Sequence, residues 1–126
     1  MRNVMRVLSA VLVLCATASI VSAAESKAVQ TMSGIVINLK HQPSATDKQA
    51  LEQIVADKAT TADERTVAQA IMNVQHTVAA ADKPKLEAIA ADAKASSGVK
   101  TLANVLVNLK HFPSDADKEK LTTAAK

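Results

Sequence analysis

Three histidines stand 35 residues apart, His41, His76 and His111, each inside the same short phrase. The phrase reads "NLKHQPSATDKQAL" from Asn38, "NVQHTVAAADKPKL" from Asn73 and "NLKHFPSDADKEKL" from Asn108. Asn38, Asn73 and Asn108 precede each imidazole by three residues; Asp47, Asp82 and Asp117 follow it by six. Imidazole is the usual nitrogen ligand for Zn, Cu and Ni, and it titrates near neutral pH. Three kinds of chemistry are therefore open: local helix-end capping, metal coordination, and a response to acidity.

Capping accounts for every motif residue. A histidine in a last helical turn bonds free carbonyls and suits the negative end of the dipole. Ser44 with Asp47, and Ser114 with Asp117, match the S-x-x-[DE] capping box that opens a helix. The middle copy has Ala79 in the serine's place, so Asp82 becomes the expected cap, with Pro84 in the first turn. The fourth helix is then expected to start about three residues later than its counterparts.

Coordination by all three histidines demands more. Ligand nitrogens lie about 2 Å from the ion, while equivalent helices in an open stack stand about 8–10 Å apart. Only a closed arrangement that gathers the three hairpin tips makes His41, His76 and His111 one Zn, Cu or Ni site. As proton sensors the same imidazoles would loosen the packing between hairpins in acid.

The elements that carry these residues follow from periodicity. Val67, Ala70, Ile71 and Val74 fall at i, i+3, i+4 and i+7, as do Met32, Ile35, Val36 and Leu39, and Leu102, Val105, Leu106 and Leu109. Second helices carry Leu51, Ile54 and Val55; Leu86, Ile89 and Ala90; and Leu121, Ala124 and Ala125. Pro43 and Pro113 stop the first helix of their units. Expected helix starts are Ser26, Thr60 or Thr61 (with Glu64 completing a capping box), and Ser96 or Ser97. At 100° per residue, His41 lies opposite the Val36 stripe, sharing a mixed face with Ile37 and Asn38. The expected architecture is all-α: three helical hairpins in units of about 24–59, 60–94 and 95–126, forming a short solenoid or a compact bundle. The period is close to those of tetratricopeptide and pentatricopeptide repeats. The aromatic and glycine signatures of the first are missing, and the RNA-reading role of the second suits neither the leader nor the charge balance described next, so the likeness is one of length.

Residues 1–23 have the form of a bacterial secretory signal. Arg2 and Arg6 make a basic start, Val7 to Ile20 is nearly all apolar, and small residues surround Ala23. Cleavage there leaves one domain, 24–126, in the periplasm or outside the cell, with no stable membrane span. Cys15, the single cysteine, leaves with the signal, which removes disulfides and thiolate ligands from consideration. The 15 basic and 12 acidic residues give +3 for the whole chain. Without Arg2 and Arg6, 13 basic residues face the same 12, a net +1. So balanced a charge does not suit nucleic-acid binding.

No nucleophile elbow, H-E-x-x-H or phosphate-binding loop is present, and two glycines are too few to build a loop of that kind. An enzyme is not expected. The function expected from the sequence is a binding module, recognising another protein through the surface of stacked hairpins and using no cofactor. Metal or stress handling through the histidines is the alternative. Phe112, the lone aromatic, stands in an inter-helix turn, either exposed for docking or folded back. Met32 and Met72 have core spacing. Lys48–Glu52 and Lys83–Glu87 are spaced as surface i,i+4 pairs.

Overall fold

The computed structural model describes residues 25–126. The expected signal peptide falls outside them. Six helices follow in order: α1 Lys27–Ile37, α2 Ala45–Ala56, α3 Ala62–Met72, α4 Lys83–Ala91, α5 Ser97–Val107 and α6 Asp115–Ala124. No strand occurs among the described residues.

Five of the six helices start where a side chain satisfies free N–H groups. Ser26 and Ser96 accept from the backbone of Val29 and Val99. Ser44–Asp47, Thr61–Glu64 and Ser114–Asp117 are complete capping boxes. Helix α4 begins at Lys83, three residues later than the register of α2 and α6, with Pro84 in its first turn. Asp82 occupies the cap position but makes no cap hydrogen bond. Its carboxylate, on a residue only 8% exposed, turns instead to Asn73 Nδ2 at 3.1 Å and Lys85 Nζ at 3.6 Å. Asn73 thus takes the oxygen that the cap would have used.

Helices α1, α3 and α5 pack on one another in an inner layer. Outside them α2 packs on α3, α4 on α5, and α6 on α1; the outer helices do not touch each other. The last helix therefore covers the first, and the arrangement closes instead of running on as an open stack. Val29, Met32, Val36, Val67, Ile71, Leu102 and Leu106 fill the inner layer, and Leu51 and Ile54 of α2, Leu86 and Ile89 of α4, and Leu121 of α6 are buried against it from outside. Small residues in matching register, Ser33, Ala68 and Ala103, are all fully buried, and short side chains permit close approach of helix backbones.

At one end of the bundle, polar side chains tie the inner helices together. The Glu25 carboxylate accepts from Gly98 N and Ser97 Oγ, both at 2.9 Å, so it caps the start of α5. Ser26 Oγ bonds the buried Glu64 carboxylate at the start of α3. The histidines lie at the other end, beyond the C-termini of the same three helices. Neither expected i,i+4 pair forms an ion pair. The contacts are i,i+3 instead, Lys85–Asp82, Lys118–Asp115 and Lys120–Asp117, because those carboxylates sit at or near helix starts and lysines one turn on reach back.

Candidate metal centre

Each histidine is placed by the residues two before and two after it. Leu39, Val74 and Leu109 are buried just past the ends of α1, α3 and α5, and Pro43, Val78 and Pro113 return the chain to the surface of the core. Between these anchors only three exposed residues remain, with histidine in the middle. So short a bridge forces a sharp turn. His41, His76 and His111 adopt φ of 62°, 66° and 64°, the left-handed region, which histidine enters more readily than most non-glycine residues. At His41 and His111 the turn is the rare γ form. Lys40 C=O accepts from Gln42 N–H at 2.6 Å, and Lys110 C=O from Phe112 N–H at 2.7 Å. In the middle copy Gln75 N–H donates to Thr77 C=O at 3.2 Å.

These turns correct one expectation. The histidines are not on the mixed face of the first helices, because α1 ends at Ile37 and Asn38 is its cap. Helix-end capping falls to the asparagines: Asn38 Nδ2 donates to Gly34 C=O at 2.9 Å and Asn108 Nδ2 to Asn104 C=O at 2.8 Å. Asp47 and Asp117 stay within their capping boxes with Ser44 and Ser114, away from the imidazoles.

The three turns meet. His41 N–H donates to His111 C=O (3.1 Å), His76 N–H to His41 C=O (2.7 Å) and His111 N–H to His76 C=O (2.6 Å), a closed triangle of backbone hydrogen bonds. With the backbones locked this way, the rings are forced together. Their centroids are 4.9, 5.2 and 5.8 Å apart in edge-to-face pairs. His76 Nδ1 lies 3.1 Å from His41 Nδ1 and 3.2 Å from His111 Nδ1. One ligand nitrogen from each ring falls within 4.8 Å of the other two, and all three residues are exposed.

Hydrogen bonding between the rings does not pair every ring nitrogen. A neutral imidazole Nδ1 carries either one proton or one lone pair. His76 Nδ1 has two neighbours at hydrogen-bond distance, so it serves one fully and faces the other unmatched. A cation at the centre accepts a lone pair from every ring. Three nitrogens bound tetrahedrally to one ion at 2.0–2.1 Å lie about 3.3 Å apart, which the two separations at His76 Nδ1 match, while all three nitrogens stay within 4.8 Å of one another.

The sequence readily shows the three histidines and their period. The residues that bring them together are Leu39, Val74, Leu109, Pro43, Val78 and Pro113, whose signal is an apolar residue at two before and two after each histidine. Phe112 is 63% exposed, and does not fold back on its hairpin. Met32 is fully buried and Met72 packs against the core, as their spacing implied. Comparison with protein-family models, with curated proteins and with solved structures finds no match.

Proposed function

We propose that this is an exported metal-binding protein in which three copies of one helical pair close on themselves and hold a single Zn, Cu or Ni ion through His41, His76 and His111. The observation that carries the reading is the spacing of the ring nitrogens, with His76 Nδ1 3.1 and 3.2 Å from its two neighbours. Backbone bonding among the three histidines supports it further, because the ligands are held in position before an ion arrives. Left-handed backbone at three non-glycine residues costs roughly 1–3 kcal/mol each, and such outliers cluster at functional sites.

Calorimetric titration of the mature protein with Zn(II), Cu(II) and Ni(II) tests the proposal. One ion per chain at micromolar affinity or better is expected, with binding lost when the three histidines become asparagine, a residue that tolerates the same backbone. Absence of binding, or binding indifferent to the substitutions, rejects it. Recognition of another protein draws support from exposed Phe112 beside His111. Its test is a pull-down from the cell envelope in which Phe112→Ser abolishes capture of a specific partner.

A further inference from the structure

We infer that the loaded three-histidine ring keeps a fourth coordination position open and fills it with a small carboxylate anion; this rests on the metal reading above. Structural zinc sites close their coordination with four protein ligands, whereas sites that handle an exogenous molecule offer three. The cluster offers three: among the described residues no Asp, Glu or Cys joins the imidazoles. All three rings are exposed, so the remaining position faces solvent and not the core.

Charge selects the occupant. Neutral imidazoles leave the full positive charge of a divalent ion uncompensated. The surroundings add to that charge. A hollow of about 360 Å³ lies against the ring, lined by Lys40, His41, Gln42, Gln75 and His76. Its lining contains an ammonium and two primary amides, each able to donate a hydrogen bond, and no carboxylate. Gln75 also lines a second, larger groove of about 710 Å³ that includes Lys110 and Lys83, again with no acid. The carboxylates nearest these loops have partners of their own: Asp47 and Asp117 in capping boxes, Asp82 with Asn73 and Lys85, and exposed Asp115 with Lys118. A carboxylate fits this setting, with one oxygen on the ion and the other accepting from Lys40 Nζ or a glutamine amide. The hollow lies at the lower end of the size range for small-ligand sites, which favours a free small molecule over a polypeptide segment.

Co(II) makes the fourth ligand visible, since its d–d absorption reports the donor set. The full mature chain, loaded with one equivalent of Co(II), is titrated with sodium acetate against a sodium perchlorate control. The expected result is a saturable change in the visible bands with acetate only, while Lys40→Met binds Co(II) as before and acetate about threefold more weakly, the worth of an exposed ion pair. A cobalt spectrum that acetate leaves unchanged overturns the inference and leaves the three-histidine reading standing. So does a Co(II)-dependent dimer in sedimentation, because a second copy then supplies the fourth ligand. A chain that develops no cobalt absorption refutes the metal reading, and the inference falls with it.

Discussion

His41 donates its backbone N–H to the carbonyl of His111 at 3.1 Å, across 70 positions of sequence. That bond, with its two companions through His76, makes the positive φ of each histidine a condition of closure and not a local accident. Replacing His76 by alanine removes the imidazole and keeps a Cβ that opposes the left-handed region, in a residue less tolerant of it than histidine. Glycine removes the imidazole and the Cβ together. In metal-free protein, His76→Gly should be more stable than His76→Ala by about 1 kcal/mol, read from the denaturant midpoint. Equal midpoints would show that the turn relaxes without the ring.

Ser33 should be replaceable at a profit in stability. Its hydroxyl is fully buried without a hydrogen-bond partner, while alanine stands at the matching positions 68 and 103, equally buried. A buried unsatisfied hydroxyl costs about 1–3 kcal/mol. Ser33→Ala should raise stability by about 1 kcal/mol, which in a domain of this size lifts Tm by roughly 4–8 °C. A lower Tm would mean that the hydroxyl has a partner after all.

The two glycines should respond in opposite senses. A Cβ on Gly34, within α1, meets nothing within 4 Å, so Gly34→Ala should stabilise by about 0.5–1 kcal/mol through helix propensity. A Cβ on Gly98 would stand 2.7 Å from Val29 Cγ1 and from the Glu25 carboxyl carbon. Gly98→Ala should cost about 1–3 kcal/mol by overpacking and by displacing the Glu25 cap from α5. Thermal melts of the two variants decide both points; a stabilised Gly98→Ala would show that Glu25 is not held there.

Much of this fold is legible in the sequence, and the reason is local. Caps such as Ser44–Asp47 and Thr61–Glu64, and stripes such as Val67–Ile71–Val74, act within a turn or two of helix, so neighbouring letters determine them. The late start of α4 follows in the same way from Ala79 and Pro84. Placement of the imidazoles does not. Extending the helical period of α1 to His41 assumes helix where Asn38 already caps it, and no residue type short of glycine announces a left-handed turn. Closure depends on α6 meeting α1, a contact between segments far apart in the chain that no window of a dozen residues contains. Asp82 shows the limit on a smaller scale: its position is that of a cap, yet Asn73, nine residues earlier, wins its oxygen.

The triangle of amide-to-carbonyl bonds also sets a copy number. An open stack of helical pairs lengthens or shortens by whole units at little cost, since every internal interface is alike. Here each tip hands its hydrogen to the next and the third returns to the first. Duplicating one further stretch of 35 residues would leave four donors around a wider circle and draw the imidazoles apart; deleting one would leave two that cannot close a triangle. The closed triangle thus ties this fold to three units, whereas its surface carries no such constraint.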